Sequence, residues 1–455
     1  MAENTLDQHK PNDKVIIIGA ACTGLSLAQG LRKAGIPFSI YERNVSLETR
    51  RNWSYSLHWG FVALEALLPE DLLKGIEKAQ VDPRYSGIDP LPLGNGETGE
   101  TIKTIIGSEE GRMWRLRSDK TRRWLASGID IQFSKEVIGV DYASDGKAVT
   151  AYFSDGVQDT GALLVGCDGS RSSIRSLLLG AERSRVKPIE EFATAMCYSK
   201  HTREHALYLR SPPFQPINQP FVHPKGYVAW LSVHDAEDSD HPENWTFFHY
   251  ISYGAPPEHH EWDDEKLIQY QKQIATSFAD PIKSIYEWMD ERSPSSSAWF
   301  TRIQNWDPSL PEHAWTNHEG RVTLAGDAAH PMSFQRGQGL NNALLDSSKL
   351  CKSIKELWRN GVIDHEAKPK VIGEYENEMI ERGGKEVKLG ADNTKLLHDW
   401  ERMTQSGLVK QGLKGNRLRS CEASGYALPQ DMPCLNVMGH SIRLRSGKAI
   451  VDYAR

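Results

Sequence analysis

The chain has 455 residues, a formal net charge of −6, 39% hydrophobic residues and 25% charged residues. This composition is typical of a globular enzyme and excludes a disordered or fibrous class. At roughly 150 residues per unit, the length allows about three structural units and a large buried core. No long Lys/Arg stripe is present, so we do not expect a nucleic acid partner.

Targeting and metal signals are also missing from the sequence. Residues 1–14 are polar, and no run of 18 apolar residues occurs anywhere in the chain, which predicts a cytoplasmic protein without a transmembrane segment. The six cysteines are scattered and show neither CxxC nor Cys/His spacing. We therefore expect no disulfide framework and no metal site.

The first elements in chain order form a βαβ unit. Residues 15–18 are an apolar, β-branched run, typical of a parallel strand that is buried on both faces. A helical period begins at Thr23 and ends at Gly35, and a second strand follows over residues 37–42.

The loop of this unit, "IIIGAACTGLSLAQG", fits the dinucleotide fingerprint G-x-G-x-x-G at Gly19 and Gly24, with Ala21 at the middle position. The first glycine makes the turn, the middle one lets the backbone approach a pyrophosphate, and the third lets the helix pack on the strand. We expect the Ala21 methyl group to displace the phosphate without abolishing binding. Glu42, followed by Arg43, stands where an acid binds the adenosine ribose, which favours FAD or NAD over NADP. Alternatively, Glu42 is a solvated strand end.

The remaining segments predict an α/β protein of two domains and a helical region. Residues 129–156 alternate as antiparallel strands do, residues 163–165 form a short buried strand, and aromatic strands between Pro-rich turns dominate residues 185–305. A strand at 322–325 and a long helix from Leu340 return to the first pattern. We predict a Rossmann-like domain with an inserted antiparallel-sheet domain and a C-terminal helical region. The predicted boundaries are 12–184 and 306–361 for the Rossmann-like domain, 185–305 for the inserted sheet and 362–455 for the helical region and tail.

Two further motifs carry a family resemblance. Residues 321–350, "RVTLAGDAAHPMSFQRGQGLNNALLDSSKL", resemble the second FAD motif of class A aromatic monooxygenases, the para-hydroxybenzoate and salicylate hydroxylase type. "GCDGSRSSIR" resembles the third motif of that family. With the fingerprint, the resemblance extends over residues 14–360. The segments 50–59 and 112–135 look most like fungal members that act in secondary metabolism.

The resemblance implies FAD-binding roles for residues in these motifs. Asp327 would accept hydrogen bonds from the ribityl hydroxyls, and Pro331, a candidate catalytic residue, would lie over the flavin ring. The N–H groups at the start of the following helix would favour the negative charge of reduced flavin; these residues are Gly337, Gln338, Gly339, Leu340 and Asn341. Asp168, with Arg171, would bind the diphosphate and ribose, although an Asx turn is the alternative for this segment.

Three further candidates depart from the family pattern or lack support from it. "RRNWSYSLHW" resembles a segment near the flavin, which makes Arg51 a candidate catalytic residue; Trp53 is either a second candidate or a core residue. The family's flavin-contacting arginine aligns with Ser118, so we assign its role to the adjacent Arg117, with Arg115 close by. His330 has no metal partner and is expected to support its loop.

The reaction implied by the resemblance is hydroxylation. NAD(P)H, as a transient co-substrate, reduces FAD, which reacts with O2 to give a C4a-hydroperoxide that transfers oxygen to a small aromatic substrate of the polyketide, meroterpenoid or indole type. The inserted sheet would exclude water, with Trp230, Trp245 and His249 as substrate residues. Two alternatives remain: an FAD protein that has become an isomerase, cyclase or dehydrogenase, and a non-catalytic binding protein.

Overall fold

The computed structural model describes residues 13–48, 52–85, 90–106, 113–214, 217–290, 292–293, 296–359 and 361–406. Arg51 lies outside the described residues, as does the predicted tail from residue 407 onwards. None of the helices in the described part of the chain is both long enough and apolar enough to cross a membrane.

The strands are β1 (Val15–Ile18), β2 (Phe38–Tyr41), β3 (Ser54–Leu57), β4 (Pro90–Asn95), β5 (Thr101–Ile106), β6 (Trp114–Arg117), β7 (Ile131–Gln132), β8 (Val137–Tyr142), β9 (Val149–Phe153), β10 (Gln158–Gly161), β11 (Leu163–Gly166), β12 (Lys187–Ser199), β13 (Asn218–Val222), β14 (Val228–Asp235), β15 (Thr246–Gly254), β16 (Ser297–Asn305), β17 (Val322–Leu324), β18 (Trp358–Arg359) and β19 (Val362–Ile363). The α-helices are α1 (Cys22–Lys33), α2 (Phe61–Leu67), α3 (Glu70–Leu73), α4 (Ser118–Leu125), α5 (Ser173–Leu179), α6 (Ala181–Ser184), α7 (Arg203–Leu209), α8 (Asp264–Ala275), α9 (Ile282–Glu287), α10 (Gly339–Leu357), α11 (Lys368–Leu397) and α12 (Trp400–Gln405).

A five-stranded parallel sheet forms the Rossmann-like part, with the order β17-β11-β1-β2-β7. All four residues of β1 are buried because the strand lies between β2 and β11 and under helices, as its unbroken apolar run predicts. The chain leaves β1 through α1 towards β2, whereas β11 pairs with the other side of β1. The carboxyl end of β1 is therefore a switch point of the sheet, where open α/β sheets bind ligands.

A second, seven-stranded sheet has the order β16-β12-β15-β14-β13-β4-β5 and is antiparallel except for the β13–β4 pair. Its strands β12 to β16 come from the predicted insertion. However, β4 and β5 belong to the segment that the sequence assigned to the first part of the Rossmann-like domain. They pair here because the backbone groups of β13 that face away from β14 need partners.

Both faces of this second sheet are covered. Leu231 and Phe247 on one face pack with Ile268 of α8 and Ile285 of α9. On the other face, aromatic residues of the strands contact Phe334, which lies between β17 and α10. This second face therefore adjoins the segment that resembles the second FAD motif.

Candidate active site

Four of the predicted FAD-binding residues follow four neighbouring parallel strands. Gly19 follows β1, Glu42 follows β2, Asp168 lies two residues after β11, and Asp327 lies three residues after β17. Because the four strands are adjacent and parallel, their carboxyl ends meet at one edge of the sheet. The sequence motifs therefore converge at the edge where open α/β sheets bind nucleotides.

The fingerprint turn requires its two glycines. Gly19 has φ of 108°, and a Cβ atom there would lie 2.5 Å from the carbonyl oxygen of Cys167. A Cβ atom on Gly24 would lie 2.0 Å from the carbonyl oxygen of Gly19. The start of α1 thus packs directly on the turn, which is the role that the fingerprint gives to its third glycine. Ala21 precedes α1 in extended backbone, with φ of −106°.

Glu42 is a buried acid that holds the fingerprint loop. Its carboxylate accepts hydrogen bonds from the backbone N–H of Ala20 and from that of Asn44, both at 3.0 Å. Glu42 also lines a cavity together with Gly19, Arg43 and Asp168. The alternative of a solvated strand end is wrong, since Glu42 is only 3% exposed.

Asp168 lines the same cavity but has partners within its own segment. Its carboxylate accepts hydrogen bonds from the Ser172 hydroxyl at 2.5 Å and from the N–H groups of Ser173 and Ile174 at 2.6 and 3.2 Å. Burial raises the pKa of the Asp168 carboxyl above its usual value. The local turn proposed as the alternative is therefore present, and it fixes Asp168 in the cavity wall; Arg171 is exposed.

Arg175, which we did not single out in the sequence, joins two of the motifs. Its guanidinium donates to the carbonyl oxygens of Ala328 at 2.8 Å, Asp327 at 3.3 Å and Ser184 at 3.0 Å. It also stacks 4.8 Å from the ring centroid of Trp306. The only signal in the sequence was the arginine that ends "GCDGSRSSIR".

Asp327 is exposed, unlike Glu42 and Asp168. One of its carboxylate oxygens lies 3.8 Å from the position that a Cβ atom would take on Gly339, the first residue of α10. Surrounding protein still desolvates the carboxyl and raises its pKa. Gly337 precedes α10 with φ of 63°. No side chain caps the first turn of α10, and the N–H groups of a first turn have no partner within their own helix.

A buried ionic network fixes the loop between β17 and α10. Asp346 accepts a 2.6 Å hydrogen bond from His330, a 2.7 Å bond from the N–H of Gly326, and one from Arg382 of α11. Interactions with His330 and Arg382 outweigh burial and lower the pKa of Asp346 to about 2. Pro331 follows His330, is buried, and accepts a hydrogen bond from the N–H of Trp306. His330 therefore acts in support of the loop, as we expected.

Asn341 ties the helix start to the segment before α2. Its side-chain oxygen accepts from the N–H groups of His58 and Gly60, and its amide donates to the carbonyl oxygen of Ser56. The side chain is thus engaged by the protein, and cofactor binding by Leu340 and Asn341 stays a prediction. Trp53 is 51% exposed, so the alternative of a core residue is wrong.

The structure separates the two arginines of β6. Arg117 forms ion pairs with Asp119, at 2.6 Å, and with Asp235. Its charge is therefore already compensated within the protein, and the flavin contact of Arg117 stays a prediction. Arg115 is buried and has no such carboxylate partner among the described residues.

The three predicted substrate residues do not share a face of the second sheet. Trp230 lies on the face that adjoins Phe334. Trp245 packs in the cluster on the opposite face and donates from its indole to the carbonyl oxygen of Asp238. His249 is fully buried and contacts Ser199 and the edge of Tyr286. Phe247 and His249 are two residues apart on β15 and share the helix-covered face, against which Trp245 also packs. The prediction that places Trp245 and His249 with Trp230 is corrected accordingly.

The residues at the sheet edge fit FAD. The fingerprint turn has no room for side chains at Gly19 or Gly24, Glu42 lines a cavity beside this turn, and Asp327 offers an exposed carboxylate next to the helix start. These are the features that bind a pyrophosphate, a ribose and a ribityl chain in dinucleotide-binding folds. The fold and site thus define a flavin-binding α/β oxidoreductase.

Comparison with known proteins identifies the family. A model of the FAD binding domain family matches residues 259–388. The chain is 34% identical over 404 residues to the FAD-dependent monooxygenase cctM of Talaromyces islandicus, covering 88% of this chain and 97% of that protein. It is also 34% identical over 408 residues to the FAD-dependent monooxygenase phnB of Penicillium herquei, covering 88% and 95%. The chain belongs to the FAD-dependent monooxygenases, and both of these relatives are fungal.

Solved structures share the fold. HpxO of Klebsiella pneumoniae, complexed with FAD and uric acid, superposes with a TM-score of 0.68 at 20% identity, covering 90% of this chain and 95% of that chain. A substrate complex of salicylate hydroxylase superposes with a TM-score of 0.65 at 15% identity, covering 91% and 95%. These similarities confirm the predicted combination of a Rossmann-like sheet with an additional antiparallel sheet.

Proposed function

We propose that this monooxygenase hydroxylates a small phenolic or other electron-rich aromatic compound of the polyketide, meroterpenoid or indole type, with NAD(P)H as transient electron donor and O2 as oxidant. The observation that carries the proposal is the convergence of Gly19, Glu42, Asp168 and Asp327 at one sheet edge, next to the aromatic face of the second sheet. When bound, FAD would supply the activation of O2 and the transfer of one oxygen atom.

The residues of the chain would hold and orient the reactants. Gly19 and Ala21 would admit the pyrophosphate, with Glu42 and Arg43 at the adenosine end and Asp168 in the same cavity wall. Asp327 would accept hydrogen bonds from the ribityl hydroxyls, since its carboxylate is exposed beside the start of α10. The free N–H groups of that helix start would stabilise negative charge on the flavin ring.

The second sheet would keep water from the reacting atoms. Trp230, Phe248 and Tyr250 cluster on the face that adjoins Phe334, and Tyr250 contacts the Phe334 ring with a centroid distance of 5.5 Å. This contact places the aromatic face against the loop that also contains Pro331. An apolar, water-poor wall at this position would favour transfer of oxygen to substrate over release of peroxide.

The test is a flavin spectrum of the purified protein, with and without added FAD, followed by a screen of NADH and NADPH oxidation with phenolic compounds under isotopically labelled O2. We expect flavin absorption bands, substrate-dependent oxidation of one nucleotide, and one labelled oxygen atom in the product. Flavin bands without nucleotide oxidation under any compound would favour an isomerase, cyclase or dehydrogenase. A colourless protein that cannot be reconstituted would favour a non-catalytic binding protein.

A further inference from the structure

Arg115 is a buried cation at the boundary between the two sheets. Its side chain extends from β6 and is buried, at 5% exposure for the residue. It donates to the hydroxyl of Ser56 on β3 at 3.0 Å and to that of Ser232 on β14 at 3.3 Å. The two neutral hydroxyls come from different sheets, so the guanidinium lies where β3 and β6 meet the second sheet.

The charge of Arg115 is not compensated by the protein. Among the described residues no carboxylate pairs with it, and its Nε–H is buried without a hydrogen-bond partner. Arg117 and Arg382, by contrast, each contact two carboxylates. Burial lowers the pKa of Arg115 to about 10, which leaves it charged at neutral pH. Burying an unpaired charge is costly, so such a group is maintained where a ligand provides the counter-charge.

The surroundings of Arg115 suit a flat, conjugated ligand. The guanidinium lies 5.8 Å from the ring centroid of Trp230, and Tyr250 is the cross-strand neighbour of Trp230. Tyr250 in turn contacts Phe334 of the loop that resembles the second FAD motif. Ser56, Ser232 and these aromatic rings provide hydrogen bonds and ring surfaces but no negative charge.

We propose that Arg115 binds the ionised oxygen of a planar phenolate or enolate substrate. The inference rests on the proposed function and names the substrate class of the same site. One unpaired Nε–H suits a single anionic oxygen, and a charge-assisted hydrogen bond of this kind is about twice as strong as a neutral one. An ionised oxygen also releases electron density into its ring, which favours attack by the ring on an electrophilic oxygen donor.

The first experiment measures binding to the flavin-loaded enzyme by difference absorption spectra. The probes are para-nitrophenol, which ionises, its neutral methyl ether para-nitroanisole, and para-nitrobenzoate, which carries a carboxylate instead. We expect para-nitrophenol to bind as the phenolate, about tenfold or more tighter than the ether, as a hydrogen bond to a charged group implies. Equal or weaker binding of the phenolate than of the ether overturns the inference. Tighter binding of para-nitrobenzoate than of para-nitrophenol also overturns it, because the site would then prefer a carboxylate.

Variants then assign this preference to Arg115. Arg115→Gln should bind phenolate and ether about equally, and Arg115→Lys should restore part of the preference. Arg123→Gln, which removes an arginine from the exposed side of nearby α4, should leave it unchanged. If Arg115→Gln instead shifts the flavin midpoint potential and leaves the ligand preference intact, the guanidinium serves the flavin and the inference fails.

The two proposals fail separately in these experiments. A flavin-loaded enzyme that oxidises NAD(P)H with a phenol but shows no preference for phenolate contradicts only the role of Arg115. A protein that prefers phenolate through Arg115 but transfers no oxygen contradicts only the proposed hydroxylation. If Arg115→Gln does not fold, equal binding of the probes by the wild-type protein still overturns the inference, and Arg115→Lys still tests the assignment to Arg115.

Discussion

At the residue scale, the acids of the site differ in what they are free to bind. Glu42 already accepts hydrogen bonds from backbone N–H groups of the fingerprint loop and of its own loop. Asp168 accepts them from backbone N–H groups of its own segment. Asp327 is exposed beside Gly339. Asp327 is therefore the acid whose loss should affect the ligand more than the fold.

We expect Asp327→Ala to lower FAD occupancy. Hydrogen bonds to a charged acceptor contribute about 1.5–3 kcal/mol, which corresponds to a loss of about tenfold or more in affinity. The measurement is the ratio of flavin to protein after gel filtration. Asp145→Ala, in the exposed turn between β8 and β9, is the control and should retain FAD. Full retention of FAD by Asp327→Ala would refute the role of this carboxylate.

Ala21→Gly should tighten FAD binding. The middle position of the fingerprint faces the pyrophosphate, and loss of the methyl group lets the backbone approach it more closely. Ala21 has an extended backbone, so glycine is not needed there for conformation. Calorimetric titration of apoprotein with FAD measures the change, and unchanged or weaker binding would show that the loop has adapted to alanine.

At the scale of elements, the two faces of the second sheet lead to different expectations for two tryptophans. Trp230→Ala should enlarge the wall near Phe334 and raise the peroxide released per NAD(P)H oxidised, with FAD still bound. Trp245→Ala should leave a cavity on the helix-covered face and lower stability by about 3–5 kcal/mol. Peroxide, product and thermal unfolding are measured on each variant. Full coupling in Trp230→Ala would show that this face is not the pocket wall.

Alternation along β15 indicates two faces but does not say which of them adjoins the flavin. Seven consecutive residues of this strand are buried, because α8 and α9 cover one face and the Rossmann-like part covers the other. Polarity cannot distinguish two buried faces, so the sequence placed Trp245 and His249 with Trp230. By contrast, β1 and α1 were predicted correctly because one local motif encodes both strand burial and the turn.

The ion pairs of Arg117 could not be predicted from the sequence. The partner Asp235 is 118 residues away from Arg117, so no spacing in the sequence indicates that they meet. Arg175 was missed for the same reason, since the carbonyl oxygens of Asp327 and Ala328 are 152 and 153 residues away. Which charges remain uncompensated is decided by tertiary contacts.

At the scale of the whole molecule, buried histidines should make stability depend on pH. Burial lowers the pKa of His201 and that of His234 to about 4, and it lowers that of His249 as well. Because the unfolded chain titrates near 6.5, it binds more protons than the folded chain between these values. The contribution of these neutral histidines to the free energy of unfolding is therefore fully present above about pH 6.5, and it is lost as the pH falls towards 4.

We expect the apoprotein to lose stability on acidification from about pH 7.5 to 5, by up to about 2 kcal/mol per buried histidine. Urea unfolding at several pH values measures this loss, and His234→Gln should reduce the slope of the free energy of unfolding against pH. His260→Gln is the exposed control and should leave it unchanged. An identical slope in wild type and His234→Gln would contradict the assignment of His234 as a neutral buried group.

The pairing of β4 with β13 has a consequence for recombination between relatives. A module exchanged at residues 185–305 would omit β4 and β5, which form one edge of the sheet that it carries. The transplanted β13 would then meet a hairpin that evolved with another protein, across a parallel pair whose register involves Phe221 and Gly94. Chimaeras that also transfer residues 90–106 keep this edge intact, so two separate stretches of the gene encode the complete second sheet.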